Sequence, residues 1–131
     1  MADTHTYTYD HTHYKCSDPE KTAQWFTDHF GAREVGRRTV RNVLIISLNA
    51  GGTIVNFSPR FPNEDVEGKP AKSRYGVYHI CFAVKDLNTR VAELKTQGIK
   101  FTLEPTKVTD DLAISFVEGP DGISVEVLEH L

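Results

Sequence analysis

The chain carries the same pattern twice, and this internal repeat limits its possible folds more than any other feature. In each copy a His is followed seven residues later by an Asp, then by a helical pattern that ends at a Gly, then by three strand-like segments. The corresponding residues are His11, Asp18 and Gly31 in the first copy and His79, Asp86 and Gly98 in the second. Such a duplication is typical of a fold built from two equal supersecondary modules.

Both predicted helices have an apolar stripe together with start and stop signals. Ser17 and Glu20 fit a capping box, and Pro19 in the first turn loses no intrahelical hydrogen bond. Asp18 and Asp86 are the expected caps of the first and second helix, and a Gly ends each helix by accepting a left-handed conformation. The apolar stripes consist of Ala23, Phe26 and Phe30 in the first helix and Leu87, Val91 and Leu94 in the second.

Three strand-like segments follow each helix, with β-branched and aromatic residues between turn signals. Each half therefore reads β-α-β-β-β, which predicts an α+β protein of two repeated βαβββ modules. Module one covers about residues 8–58, a polar linker residues 59–74, and module two about residues 75–131, within a single domain of residues 1–131. The predicted segments are Ala32–Val35, Val43–Leu48 and Thr53–Ser58, then Ile99–Leu103, Ala113–Glu118 and Ile123–Leu128.

Composition narrows the range of partners and compartments. The 131 residues include 15 Lys and Arg against 18 Asp and Glu, and the formal net charge of −3 gives no reason to expect nucleic acid or an anionic membrane as partner. No apolar run approaches the roughly 20 residues that cross a bilayer, and the N-terminus does not have the pattern of a signal peptide. Cys16 and Cys81 have no spacing motif, which suggests a reducing compartment but also permits one bridge. We expect a cytoplasmic protein.

Three segments of the chain resemble the vicinal oxygen chelate superfamily. They are residues 10–19 (DHTHYKCSDP), 76–86 (GVYHICFAVKD) and 116–126 (FVEGPDGISVE). The superfamily includes glyoxalase I, methylmalonyl-CoA epimerase, extradiol dioxygenases, fosfomycin-resistance enzymes and bleomycin-resistance proteins, and the resemblance runs from about Tyr9 to Leu128. It implies that the sheets of both modules form one curved, cup-shaped mixed sheet with flanking helices. Many relatives are homodimers, so a homodimer is expected here.

The resemblance also implies a site for one divalent cation. Metal-binding relatives take a ligand from the first and last strand of each module, and these positions are His11, Asn56, His79 and Glu126. The two His are equivalent positions of the repeat, and a carboxylate in the apolar strand around Glu126 needs a partner or a cation. Two imidazoles and one carboxylate suit Zn, Ni, Co, Mn or Fe. Asn56 is the weak member because a neutral amide is a poor ligand with a short reach.

The same residues suggest acid–base roles. Glu126 and His13 are the candidate catalytic bases, and His13 lies on the same strand face as His11. Cys81 shares the face of His79 and is expected to be a small buried hydrophobe. A basic cluster just ahead of the second strand either holds an anionic substrate or forms a solvated charged turn. Its members are Arg37, Arg38 and Arg41.

Three functions from different classes follow from these features. The first is a divalent-metal-dependent lyase or isomerase of glyoxalase-like type, which acts on a small oxygen-rich metabolite through a metal-stabilised enolate or alkoxide. The second is an Fe(II) extradiol-type ring-cleavage dioxygenase, since two His and one carboxylate form the facial triad of non-haem iron oxygenases. The third is a metal-free ligand-binding protein of bleomycin-resistance type. Asn56 weakens a strict glyoxalase I assignment because an amide cannot take up a proton.

Overall fold

The chain folds into two units that share one topology. The computed structural model describes residues 6–131 and divides the chain into Met1–Asp65 and Val66–Leu131. Each unit contains one four-stranded sheet and one α-helix, arranged β-α-β-β-β along the chain. The predicted α+β class and the two βαβββ modules are therefore confirmed.

In the first unit, one parallel and two antiparallel strand pairs form the sheet. The strand order is β1-β4-β3-β2, with β1 parallel to β4 and the other pairs antiparallel. Helix α1 packs on β3 and β4. The elements are β1 Thr12–Lys15, α1 Pro19–Phe30, β2 Arg33–Val40, β3 Val43–Ala50 and β4 Thr53–Ser58.

The second unit repeats this arrangement strand for strand. Its order is β5-β8-β7-β6, again with one parallel pair, β5 and β8. The register is also equivalent, because His13 is paired with Asn56 in the first sheet and Cys81 with Glu126 in the second. The elements are β5 Ile80–Ala83, α2 Leu87–Thr96, β6 Phe101–Thr109, β7 Leu112–Glu118 and β8 Ser124–His130.

Both helices begin at an Asp and end near a Gly. The Asp18 carboxylate accepts a hydrogen bond from the backbone N–H of Lys21 at 3.1 Å, and Gly31 ends α1 with a φ of 69°. Asp18 is therefore the N-cap, as predicted, whereas the predicted capping box of Ser17 with Glu20 is wrong, since Glu20 pairs with Arg37. Helix α2 has Asp86 as its N-cap, as predicted.

Each unit has an apolar core between its helix and its sheet. In the first unit, the Phe26 ring stacks on Phe57 with centroids 5.4 Å apart. Burying a side chain of this size contributes roughly 1.5–3 kcal/mol relative to leaving it exposed. All three residues of the stripe predicted for α2 are buried in the second unit, beside Val125 and Val127 of β8.

Two edge strands extend by five or six residues beyond their predicted ends. Strand β2 continues to Val40 and so includes Arg37 and Arg38, while β6 continues to Thr109 and includes Pro105. Both are edge strands, which tolerate charged residues and Pro because one side of the backbone makes no ladder hydrogen bonds. The register of β6 shifts on both sides of Pro105.

The segment between β4 and β5 has no regular structure. Residues 59–79 contain neither helix nor strand, as expected for most of this segment from its polar, Pro-containing composition. Over residues 6–131, neither helix is both long and apolar enough to cross a membrane.

Candidate metal centre and acid–base residues

Two of the predicted metal ligands lie side by side in the second unit. His79 immediately precedes β5, and Glu126 lies in β8, the parallel neighbour of β5. His79 Nε2 lies 2.9 Å from Glu126 Oε1, with 25% of the His side chain and 11% of the Glu side chain exposed. Val125 and Val127 point into the core, so strand alternation directs Glu126 to the opposite face.

An imidazole and a carboxylate are both ligand types for divalent transition-metal ions. Their separation of 2.9 Å is that of a hydrogen bond between the imidazole N–H and the carboxylate. His79 Nδ1 is buried and has no hydrogen-bond partner among the described residues. A buried polar atom without a partner is rare in folded proteins.

The pair opens onto a concavity of about 550 Å³. Strand alternation in β7 and β8 places Phe116, Ser124 and Glu126 on this face. Its eight described lining residues are Tyr78, His79, Thr102, Leu103, Ile114, Phe116, Ser124 and Glu126. A site of this size suits a small molecule.

Cys81 lies next to Glu126 but is not the buried hydrophobe expected from the sequence. The residue is exposed, because strand alternation assigns a side chain to a face without indicating what covers that face. Desolvation of the thiol, then its hydrogen bond to Glu126 and the charge of that carboxylate, raise the pKa of Cys81 to about 12. Cys81 is therefore a neutral thiol at physiological pH and not a thiolate nucleophile. Both Cys81 and Cys16 are free.

In the first unit, His11 is oriented by a neighbouring carboxylate. Its Nδ1 lies 2.6 Å from Asp10 Oδ2. When Nδ1–H donates to this carboxylate, Nε2 has a free lone pair, as in the carboxylate–histidine arrangement that orients metal-ligating imidazoles. Asp10 directly precedes His11, but no sequence pattern marks it as the hydrogen-bond partner of this histidine.

His13 has a different set of partners. Its Nε2 lies 2.6 Å from Ser58 Oγ, and its ring centroid is 6.3 Å from that of His11. Burial lowers the pKa of His13, and the positive charges of His11, Lys15 and Arg38 lower it further. A neutral imidazole can accept a proton, which is the chemical property a general base needs.

Asn56 is buried and already hydrogen-bonded. The residue is only 3% exposed, and its side-chain Oδ1 accepts a hydrogen bond from Ser47 Oγ at 2.6 Å. One of the two lone pairs of this oxygen is therefore occupied.

The four predicted ligands are divided between the units, His11 and Asn56 in the first and His79 and Glu126 in the second. Within the part of the chain that the structure describes, no three His, Cys, Asp or Glu side chains gather closely enough to hold a metal ion. Within the second unit, His79 and Glu126 are in direct contact.

The arginines of the predicted basic cluster have different partners in the structure. Arg37 donates to Glu20 at 2.9 Å and to Glu34 at 2.8 Å, so its charge is balanced by two carboxylates. Arg41 lies over the Phe61 ring, 4.9 Å from the centroid. The prediction of a solvated charged turn is wrong for Arg37, which lies within strand β2.

Two βαβββ modules of identical strand order define the class of the protein as the vicinal oxygen chelate fold. The family model of the Glyoxalase/Bleomycin resistance protein/Dioxygenase superfamily matches residues 8–127, and the chain belongs to this superfamily. It is 27% identical to glyoxalase I of Saccharomyces cerevisiae over an alignment of 146 positions including gaps, which covers 92% of this chain and 44% of that protein. The chain spans less than half the length of the curated relatives it matches.

Solved structures share the fold at low sequence identity. A glyoxalase family protein from Bacillus cereus superimposes with a TM-score of 0.79 at 18% identity, covering 99% of each chain. The fosfomycin resistance protein FosX of Listeria monocytogenes, solved with Mn(II) and sulfate, superimposes with a TM-score of 0.67 at 12% identity. That match covers 93% of this chain and 91% of FosX.

Proposed function

We propose that this protein is a divalent-metal-dependent lyase or isomerase that acts on a small oxygen-rich metabolite. The observation that carries the proposal is the close pair of His79 and Glu126 at a concavity of the second unit. His79, Glu126 and His11 are the proposed metal ligands, with Asn56 as a weak fourth. The cation belongs to the set Zn, Ni, Co, Mn and Fe, which bind imidazole and carboxylate together.

Two relatives support this class of reaction. The Saccharomyces cerevisiae relative is a glyoxalase I, and the Listeria monocytogenes neighbour was solved with Mn(II). Both match across nine-tenths or more of this chain. The choice of a lyase or isomerase over other reactions of the superfamily is part of our proposal.

The chemistry is assigned to named side chains. A bound divalent cation would polarise a substrate carbonyl and stabilise the negative charge that develops when a neighbouring proton is removed. Glu126 is the proposed base, and its carboxylate contacts His79 and Cys81. His13 is the second proposed base, with Ser58 fixing the direction of its ring. Acid–base groups of this kind typically contribute 10²–10⁴-fold to the rate.

The alternative with specific support is an Fe(II) ring-cleavage dioxygenase. Its basis is the proposed ligand set of two imidazoles and one carboxylate, which non-haem iron oxygenases also use. Such an enzyme would consume O₂ when given a catechol, whereas a lyase or isomerase would not. Oxygen uptake measured with the iron-loaded protein therefore separates the two functions.

The first test is the metal content of the purified full-length protein, measured by elemental analysis. We expect about one divalent ion per chain in the wild type and its loss in His79→Ala and Glu126→Ala. His130→Ala is the matched control, because His130 is an exposed histidine at the end of β8 that does not line the concavity. A wild type that stays metal-free after reconstitution would refute the proposed enzyme and favour a metal-free binding protein of bleomycin-resistance type.

We further propose a homodimer, as many superfamily members form one. Sedimentation equilibrium is expected to give twice the chain mass of 14.7 kDa. A concentration-independent mass of one chain would contradict the dimer without affecting the assignment of His79 and Glu126.

A further inference from the structure

An aromatic stack forms one wall of the concavity in the second unit. The Tyr78 and Phe116 rings are stacked with centroids 5.6 Å apart and planes 22° apart. Phe116 is only 9% exposed, whereas Tyr78 is 72% exposed. A buried ring thus supports an exposed one, and the exposed ring offers a face on which another flat group can stack.

This aromatic wall lies directly beside the proposed metal ligands. Phe116 and Glu126 are paired across the antiparallel strands β7 and β8. The His79 ring packs edge-on against Phe116, with centroids 5.1 Å apart and planes 75° apart. A substrate whose oxygens reach His79 and Glu126 would therefore bring the group on the adjacent carbon against the stack.

The rest of the lining favours an apolar group over a charged one. None of the eight described lining residues is Lys or Arg, and Leu103 and Ile114 add aliphatic surface. An anionic substituent would have no cationic partner among these residues, and the Glu126 carboxylate would repel it. A flat, uncharged ring would instead bury apolar area and stack on the aromatic wall.

We infer that the substrate carries an aromatic or similarly flat unsaturated ring on the carbon next to its two metal-binding oxygens. Tyr78 and Phe116 are the residues that determine this specificity. The inference rests on the proposed function, because it assigns the substrate class of the same site.

The test compares two acids that differ only in their ring. Phenylglyoxylate and cyclohexylglyoxylate have the same charge and the same adjacent oxygens, but only the first has a flat ring. Isothermal titration calorimetry on the full-length Mn(II)-loaded protein is expected to show tighter binding of phenylglyoxylate by about 2- to 12-fold, the range of a single aromatic pair. The preference should disappear in Tyr78→Leu and remain in Tyr78→Phe, which keeps the ring.

Tyr75→Leu is the matched control, because Tyr75 is a fully exposed tyrosine three residues away that does not line the concavity. Equal affinity for both acids, no binding of either, or a preference that survives in Tyr78→Leu would overturn the inference. The proposed function makes a separate prediction. Removing Mn(II) or replacing His79 should weaken the binding of both acids by the same factor. A ring preference without metal dependence would refute the metal-dependent function alone.

Discussion

Glu129 supports the start of a helix from a neighbouring strand. Its carboxylate accepts hydrogen bonds from the backbone N–H groups of Asp86 at 3.0 Å and Leu87 at 2.9 Å, at the N-terminus of α2. Backbone donors at this end of a helix have no intrahelical acceptor, and the helix dipole favours a negative charge there. We expect Glu129→Ala to lower the free energy of unfolding by about 1–2 kcal/mol, measured by urea denaturation.

The control for this prediction is Glu104→Ala. Glu104 pairs with Lys95, but both side chains are about half exposed. Exposed pairs of this kind contribute at most about 1 kcal/mol and often nothing measurable. An equal loss of stability in the two variants would mean that Glu129 acts only as a surface charge.

At the residue scale, the sequence predicted the closest pair in the candidate site but not its surroundings. His79 was identifiable from the repeat, and Glu126 from its position as a carboxylate in an apolar strand. The hydrogen bond between Ser47 and Asn56 joins two strands, so it depends on a register that single-residue patterns do not contain. The exposure of Cys81 depends on tertiary cover for the same reason.

At the scale of elements, Asp18 is expected to stabilise helix α1 more through its hydrogen bond than through its charge. Its carboxylate accepts from the backbone N–H of Lys21 at 3.1 Å. Replacing a capping Asp with Ala typically lowers stability by about 1 kcal/mol, whereas Asn caps a helix almost as well. We therefore expect Asp18→Ala to be less stable by this amount and Asp18→Asn to retain most of the stability of the wild type, measured by thermal unfolding. Equal destabilisation by both substitutions would show that the charge is responsible.

A second element-scale prediction concerns Arg37, which ties β2 to α1. Hydrogen bonds from Arg37 lower the pKa of both Glu20 and Glu34 below the ordinary value of 4.5. A carboxylate with a lowered folded-state pKa adds stability that is complete above its unfolded pKa and is lost as the pH falls through the folded value. We expect Arg37→Met to be less stable than the wild type at pH 7. At acidic pH, the free energies of unfolding of the two proteins should become similar.

The measurement is the urea midpoint of both proteins at a series of pH values from neutral to acidic. All three side chains are well exposed, so the difference is expected to shrink in high salt as well. A stability difference that does not change with pH would mean that Arg37 acts through packing of its aliphatic stem and not through the two carboxylates.

The edge strands mark the limit of what sequence patterns predict about these elements. The central strands β3, β4, β7 and β8 are apolar enough to be located to within a few residues. Edge strands β2 and β6 contain Arg37, Arg38 and Pro105, residue types that patterns assign to turns. They are strands because pairing on one side, with β3 or β7, is sufficient to hold them extended.

At the scale of the whole molecule, the repeat predicted the topology because each module is specified by local signals that occur twice. Few alternative arrangements remain for a chain of this length once each module has a capped helix, a Gly that ends it and three strands in a fixed order. The function is less determined, because the residues that distinguish one reaction from another are few. Asn56, a neutral amide among the predicted ligands, is one of them.

Metal binding should also be measurable in the stability of the whole protein. His79 and Glu126 are far apart in sequence and meet only through the pairing of β5 with β8, so the unfolded chain lacks this site. A ligand that binds only the folded state stabilises it by about 2.7 kcal/mol at a hundred times its Kd, which corresponds to a Tm increase of roughly 10 °C for a chain of this size. We expect EDTA to lower the Tm of the metal-loaded wild type and of His130→Ala, but not that of His79→Ala. A Tm that does not respond to EDTA in the metal-loaded wild type would contradict a metal site that depends on folding.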